Sequence, residues 1–180
     1  MTTPKEIDPA AIDVISRTPA VLRALLAGLA PDLLYRPNDE GWSLKDIVAH
    51  LHDVEGIAFV ERISRMLDED RPFIQSIDPP ARLVAGGYGS RELSALLDEL
   101  AQQRKQHVDW LRSLNSDELA RIGVHDRVGE ISVINIAHQW AAHDMAHLRQ
   151  VSLMIQAYFA PMMGWELLPL NTFAWAIAHW

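Results

Sequence analysis

The chain has 180 residues, a formal net charge of −8 at pH 7 and no cysteine. The lack of cysteine excludes disulfides, thiolate metal sites, iron–sulfur clusters and cysteine nucleophiles, and the acidic balance argues against nucleic acid or an anionic membrane as the main partner. The first nine residues lack the apolar core of a signal peptide, and no run approaches the roughly 20 apolar residues of a membrane span. We therefore predict a cytoplasmic protein whose chemistry depends on histidines, carboxylates or a cofactor.

Apolar residues recur at helical spacing along most of the chain and predict four long amphipathic helices. The predicted helices, with the residues that indicate their starts, are 8–30 (Asp8-Pro9), 43–67 (Ser43 with Asp46), 90–114 (Ser90) and 132–160 (Ser132). A second start signal, Thr18-Pro19, predicts a kink or restart inside the first helix. Because no convincing strand pattern accompanies them, we expect one all-α domain over residues 1–180, built as a four-helix bundle.

Three segments depart from the helical pattern. Residues 68–89 are rich in proline and glycine, and a loop of this length inside a compact domain is usually functional or a crossover between helices. Residues 115–130 form a second, polar loop. The segment 160–180 is rich in tryptophan and leucine and is expected to be an apolar extension of unknown role. It is interpreted as a packed cover or an oligomer contact, with a short helix near 171–179.

Histidines interrupt the apolar stripes of two predicted helices. His143 and His147 are four residues apart, which places both rings on the buried face of the fourth helix. His50 lies on the apolar stripe of the second helix and is the natural third ligand. Three imidazoles with open coordination positions are typical of catalytic zinc sites, and the alternative is core histidines satisfied by hydrogen bonds. His125 is assigned to a loop, where a solvated role is expected.

Other polar residues fall where the bundle interior is expected. Arg104 and His107 interrupt the leucine stripe of the third helix, and Arg104 either holds a substrate carboxylate or phosphate or forms an ion pair. Its candidate acidic partners are Asp53, Glu55 and Asp144. Asp53, one turn after the candidate ligand on its helix, is a fourth ligand, a base or a surface acid. Asp144 points away from the metal and suits a role in supporting a neighbouring residue.

Two strings in these helices resemble the signatures of the DinB-like superfamily. The first is Gly41–Leu51 (GWSLKDIVAHL), with acids following at positions 53 and 55, and the second is His143–Gln150 (HDMAHLRQ). Weaker matches between them are Asp70-Arg71-Pro72, Tyr88, the Arg104 region, Arg121–His125 and Gly129. The resemblance spans residues 8–156 and does not include the tail after Phe159.

The resemblance implies a four-helix bundle in which His50, His143 and His147 hold one divalent metal. Imidazole ligands suit zinc, nickel and iron alike, so the metal is not identified. The family also includes enzymes that use a small cellular thiol, and many of its members are homodimers. A low-molecular-weight thiol is therefore a candidate cosubstrate, and a homodimer is expected.

Together these patterns predict a metal-dependent enzyme acting on a small molecule, of the hydrolase or thiol S-transferase type. Its metal centre would activate water or a small thiol, with Asp53 as the candidate for proton handling. Candidate substrate-binding residues are Arg104, Trp42 and Tyr88, and candidate supporting residues are Asp144 and His107. The alternative is a non-catalytic, stress-related bundle that binds metal or ligand or mediates dimerisation. A pocket reaching His50 favours catalysis, whereas a sealed core favours the alternative.

Overall fold

Helices dominate residues 6–163, the part of the chain that the computed structural model describes. In chain order the elements are α1 (Pro9–Leu26), α2 (Pro31–Tyr35), α3 (Leu44–Val54), a π-helical segment (Glu55–Val60), α4 (Glu61–Asp68), β1 (Phe73–Ile74), α5 (Pro79–Ala85), a 3₁₀ turn (Tyr88–Ser90), α6 (Leu93–Ser113), α7 (Ser116–Leu119), β2 (Ile122–His125), β3 (Gly129–Ser132), α8 (Val133–Phe159) and a 3₁₀ turn (Ala160–Met163). Within the described range no helix is long and apolar enough to cross a lipid bilayer.

The four long helical segments form the expected bundle: α1, the α3–π–α4 segment, α6 and α8. Helix α1 packs against α6 and α8, and α3 packs against the same two helices. The Asp8 carboxylate accepts a hydrogen bond from the Ala10 amide, and Ser43 and Asp46 form a complete capping box, so both predicted helix starts are confirmed. The predicted tail helix and most of the apolar extension lie outside the described residues.

Helix α1 runs through Pro19 without restarting and ends at Leu26, before the short α2. A proline inside a helix leaves the carbonyl four residues earlier without its usual amide donor. Here that carbonyl belongs to Ile15, and the Arg104 guanidinium donates to it at 2.6 Å. A side chain of another helix thus satisfies the backbone group that Pro19 leaves unpaired, which explains why the predicted restart is absent.

Two other helix predictions differ from the structure. Helix α6 begins at Leu93, because Ser90 belongs to a 3₁₀ turn in which its hydroxyl bonds the Gly87 carbonyl. The second bundle segment contains a π-helical turn at Glu55–Val60, which the apolar periodicity did not indicate. Such wider turns occur mostly as single interruptions of α-helices and frequently at functional sites.

The two predicted loops contribute a small three-stranded sheet, which the sequence did not indicate. Strand β2 pairs in parallel with β1 and antiparallel with β3, with Phe73 opposite Val124 and Ile122 opposite Ser132. Strands of two to four residues are too short to show the alternation from which a sequence predicts sheets. The sheet closes one end of the bundle, and β3 leads directly into α8.

Two apolar clusters fill the bundle interior, one toward the sheet and one toward α2. The first includes Ile15, Val54 and Trp140, and the second includes Leu22, Leu51 and Leu100. Buried polar residues lie on all four bundle segments, in sequence at or next to the boundary between the two clusters. These are Thr18, His50, Glu55, Arg104 and Asp144. A polar layer therefore divides the core, and the candidate functional residues belong to this layer or border it.

Candidate metal centre

The three predicted ligand histidines come together between α3 and α8. His50 is buried on α3, and His143 and His147 occupy successive turns of α8. Their ring nitrogens lie within 4.8 Å of one another. The His143 Nε2 atom is 3.2 Å from the Nε2 atom of His50 and 3.2 Å from that of His147. The sequence prediction that two separate segments present one cluster of imidazoles is thus matched by the geometry.

The nitrogen spacing suits a shared cation. Zinc–nitrogen bonds of about 2.0–2.1 Å in tetrahedral geometry separate two ligand nitrogens by about 3.3 Å. The Nε2 atom of His143 faces two other ring nitrogens, but a ring nitrogen has either one proton to donate or one lone pair to accept with, so one conventional hydrogen bond is the limit there. A cation among them would use all three lone pairs at once. The donor set therefore fits a divalent metal better than it fits a hydrogen-bonded cluster.

The electrostatic setting keeps these rings neutral. Burial, reinforced by the neighbouring His147, lowers the pKa of His50 to about 3. Burial also lowers the pKa of His143 well below its ordinary value, and it lowers the pKa of His147. Neutral imidazole is the form that ligates metal. The site thus presents unprotonated nitrogens at neutral pH.

Neighbouring side chains orient the three rings. The Nδ1 atom of His147 lies 2.8 Å from the Gln150 Oε1 atom, and a proton donated from Nδ1 leaves Nε2 free for a metal. The Trp42 ring meets His50 edge-on at 5.3 Å between centroids, and Phe59 meets His143 edge-on at 5.5 Å. The Nδ1 atom of His143 is buried without a hydrogen-bond partner among the described residues. Packing rather than hydrogen bonding therefore holds that ring.

A cavity of about 1090 Å³ reaches all three histidines. Trp42 and the segment before α5 line it, as expected for an accessible site, but Tyr88 does not. Its apolar lining comes from Trp42, Val54, Ala58, Phe59, Ile77, Pro79, Pro80, Val128, Ile131 and Ala142. The volume is sufficient for a drug-sized molecule. The imidazole cluster is thus open to a small molecule rather than sealed in the core.

Comparisons with known proteins agree with this architecture. The family model of the DinB superfamily matches residues 15–151. The chain belongs to the DinB superfamily. The solved structure of YfiT from Bacillus subtilis covers 92% of this chain and 95% of its own chain, with a TM-score of 0.75 and 22% sequence identity. That protein is described as a probable metal-dependent hydrolase with an unusual four-helix bundle topology. A search of curated proteins found no match.

At that identity the likeness to YfiT establishes the fold and leaves the chemistry to the residues of this DinB-superfamily chain. The predicted all-α bundle with a long connection between its second and third helices is confirmed. That connection, between Asp68 and Leu93, carries β1, α5 and a 3₁₀ turn. It supplies one wall of the cavity through Ser76, Ile77, Pro79 and Pro80.

Arg104 lies in the polar layer and does not line the cavity that holds the histidines. Its guanidinium donates to Glu55 at 2.9 Å and to Asp144, and its side chain is 2% exposed. His107 pairs with the other Glu55 oxygen at 2.7 Å. The substrate-binding role expected for Arg104 is therefore corrected to the ion-pair alternative. A guanidinium shared between two buried carboxylates is not available to a substrate anion.

The candidate supporting residues belong to the same ionic cluster. Within the part of the chain that the structure describes, neither Asp144 nor His107 hydrogen-bonds to the ligand histidines. Burial raises the pKa of Asp144 to about 6 although the adjacent Arg104 opposes this shift. Asp144 can therefore influence the position of His143 only through the backbone of α8, in which the two residues are adjacent. Gln150, in contrast, hydrogen-bonds directly to a ligand ring, and its position three residues after His147 was the available signal.

Asp53 and Tyr88 also lie outside the cavity. The Asp53 carboxylate accepts two hydrogen bonds from Arg82, at 2.6 and 3.0 Å, and one from the Tyr88 hydroxyl at 3.0 Å. Arg82 belongs to α5, so this latch fixes the 79–90 segment against α3. The proton-handling role of Asp53 and the substrate contact of Tyr88 are corrected to this positional one. Hydrogen bonds from Arg82 and Tyr88 outweigh burial and lower the pKa of Asp53.

Sequence reasoning missed several residues that line the cavity. His125 lies in β2 and faces the cavity, so its assignment to a solvated loop is wrong. Arg62, Arg127 and Gln139 line it as well. Gln139 was detectable, because it lies one turn before His143 on the same helix face. The two arginines were not, because Arg127 reaches this wall only through the short sheet and Arg62 follows the π-helical segment that the apolar periodicity did not indicate.

Proposed function

We propose that this DinB-superfamily protein is a metal-dependent enzyme that acts on a small molecule. The observation that carries the proposal is the convergence of three neutral Nε2 atoms on the wall of a cavity of about 1090 Å³. Three protein ligands with free coordination positions are the pattern of catalytic rather than structural zinc sites. The accessible cavity supports the same interpretation.

Different residues of the chain would bind the metal and the substrate. His50, His143 and His147 would hold a divalent transition metal, and Gln150 would fix the tautomer of His147. A divalent metal supplies a Lewis acid that lowers the pKa of water or of a small thiol toward neutrality. Trp42, Phe59 and the apolar lining would exclude bulk water and bind the body of the substrate. Zinc, nickel and iron all suit imidazole ligands.

Two reaction types agree with this arrangement, hydrolysis and thiol S-transfer. The description of YfiT as a probable metal-dependent hydrolase favours the first. The absence of cysteine requires that any thiol arrive as a cosubstrate, which is compatible with the second. The non-catalytic binding or dimerisation module remains the alternative, and the cavity open to the histidines speaks against its sealed form. Cytoplasmic location and a homodimer stay predictions.

Metal analysis of the purified protein tests the site. After loading with zinc and extensive dialysis, the wild type should keep about one zinc per chain. The His147→Ala variant should lose it. The matched control is His138→Ala, because His138 lies on the same helix but accepts a hydrogen bond from the Asp8 amide, away from the cavity. Full zinc retention by His147→Ala, with helical circular dichroism unchanged, would contradict the assignment.

Activity assays then separate the reaction types. Zinc-, nickel- and iron(II)-loaded protein should cleave activated esters or amides, or transfer a small thiol to an electrophile, and His147→Ala should do neither. Ester cleavage without thiol dependence supports the hydrolase. Metal-loaded protein that is inactive in both assays would support the non-catalytic alternative.

A further inference from the structure

The cavity has a cationic end that the metal proposal does not use. Its charged lining residues are Arg62, Arg127 and Glu40, so two of the three are basic although the whole chain carries a net charge of −8. His125, which ends β2, lines the same wall, and Arg127 lies in the turn between β2 and β3. Arg62 is tied to this region because its guanidinium donates to the Gln75 carbonyl at 2.8 Å. The basic groups thus gather at the sheet end of the cavity.

Helix α8 gives the distance between this end and the histidines. Asn135, Gln139, His143 and His147 follow one another at four-residue spacing, and all line the cavity. Four residues of helix advance about 6 Å, so Asn135, beside the sheet, is about 12 Å along the helix from His143. Gln139 lies between them, and no hydrogen bond engages its amide among the described residues. A small molecule can therefore span both ends.

The charge of Arg62 is only partly neutralised by the protein. The carboxylate that opposes its charge most strongly is that of Asp126, whose two oxygens already accept hydrogen bonds from the Ser76 amide at 3.0 Å and from the Ser76 hydroxyl at 2.6 Å. Burial lowers the pKa of Arg62, with Asp126 and Glu61 opposing the shift. A guanidinium that is withdrawn from water and has no direct carboxylate partner within residues 6–163 favours an external anion.

We propose that the cavity binds a small amphipathic carboxylate, with its anionic group at Arg62 and Arg127 and its reacting end at the three histidines. Arginine offers paired donors that match the two oxygens of a carboxylate. The apolar middle of the ligand would lie on Phe59, Val54 and Ile131, and the Gln139 amide would bind a polar group between the two ends. This inference rests on the proposed function for the identity of the reacting end. The anionic end depends on this chain's own residues alone.

A matched pair of probes tests the anionic end in metal-free protein, where a metal cannot attract the carboxylate. The probes are 4-phenylbutyrate and its neutral amide, 4-phenylbutyramide, titrated by calorimetry into chelator-treated protein. We expect the acid to bind on the order of tenfold tighter than the amide, the effect of one charge-assisted contact. Equal affinities, or no binding of either probe at millimolar concentration, would overturn the inference.

Variants of the two cavity arginines test whether they cause the preference for the acid over the amide. Arg62→Gln and Arg127→Gln should each bring the acid-to-amide ratio toward one, and Arg62→Lys should retain part of it because the charge remains. The control is Arg17→Gln, which makes the same change in net charge on the exposed face of α1, where Arg17 pairs with Asp13. An unchanged ratio in both cavity variants, or an equal loss in Arg17→Gln, would contradict the assignment to this wall.

The outcome is independent of the metal test. A chain that retains no zinc yet prefers the carboxylate through Arg62 keeps this inference and loses the proposed function. A chain that retains zinc at the histidines but binds acid and amide equally keeps the proposed function and loses this inference.

Discussion

Two polar clusters lie side by side in the bundle interior, and they satisfy their charges and lone pairs in different ways. In the ionic cluster of Arg104, Glu55, Asp144 and His107, groups of opposite sign face one another across three helical segments. In the imidazole cluster, like groups face one another, because the three neutral rings bring their Nε2 atoms close together. The ionic cluster is closed to the large cavity, whereas the imidazole cluster opens onto it.

This contrast shows which features distinguish a functional cluster from a structural one. Burial of polar groups does not, because both clusters are buried and both contain atoms without a partner among the described residues, such as Asp144 Oδ1 and His143 Nδ1. A functional cluster is distinguished by nitrogens that face one another and are reached by a cavity, because a ligand can then be supplied from outside. The ionic cluster instead joins helices, and it also satisfies the carbonyl left free by Pro19.

The largest expected effect comes from breaking the ionic cluster. Arg104→Met would leave the Glu55 and Asp144 carboxylates buried without their cation, at a cost of about 3–5 kcal/mol in the free energy of unfolding. Urea unfolding of metal-free protein measures it. The control is Arg17→Met, whose ion pair is exposed and whose loss should cost less than about 1 kcal/mol. A cost for Arg104→Met no larger than that of the control would show that the cluster does not hold the bundle together.

Disrupting the imidazole cluster should change the free energy of unfolding in the opposite direction. His143→Leu replaces a buried ring, which has an unpartnered Nδ1 and faces two other nitrogens, by an apolar side chain that suits the neighbouring Phe59. Metal-free His143→Leu should therefore be as stable as the wild type, or more stable by about 1–2 kcal/mol. The same variant should not retain zinc. The urea midpoints of both metal-free proteins and their zinc contents provide the measurements.

A marked destabilisation of metal-free His143→Leu would mean that the three rings support the core by themselves. The two clusters would then both be structural, and the histidines would have to be interpreted as part of the core. Greater stability with loss of zinc would identify a site that is kept for binding at a cost in stability, and equal stability would show that the rings do not support the metal-free core.

The sequence predicted the elements whose signals are local. The helix starts at Asp8 and Ser43, the bundle and the His143–His147 pair follow from caps and helical spacing, and the structure matches them. The sequence could not decide whether Arg104 binds substrate or forms an ion pair, because the answer depends on which acids two other helices bring to it. Glu55 was among the candidate acids, but the π-helical segment that begins at Glu55 leaves no periodic signal.

The cavity wall shows the same limit more strongly. His125 and Arg127 lie in β2 and in the β2–β3 turn of a sheet whose strands are too short to be predicted, and Arg62 of α4 follows a π-helical segment that the apolar periodicity did not indicate. Asp53, in contrast, attracted a catalytic interpretation because it lies one turn from His50. The partner that decides its role, Arg82, is in the 79–85 helix that the sequence analysis treated as a loop.

The smallest expected effect comes from the latch between α3 and α5, and it distinguishes a positional Asp53 from a catalytic one. Asp53→Asn removes the charge paired with Arg82, whose side chain is 41% exposed, so solvent screening limits the loss to about 1 kcal/mol or less. Zinc retention should be unchanged, because Asp53 lies outside the cavity.

The loss should also depend on pH in a defined direction. The folded pKa of Asp53 lies below its ordinary value of 3.8, so the ionised carboxylate stabilises the fold above that pH. This stabilisation is lost as the pH falls below 3.8 and through the folded pKa. The difference in unfolding free energy between wild type and Asp53→Asn, measured by urea titration at pH 7, 5 and 3.5, should therefore shrink at the lowest pH. Loss of zinc in the variant would instead indicate that Asp53 contributes to the metal centre.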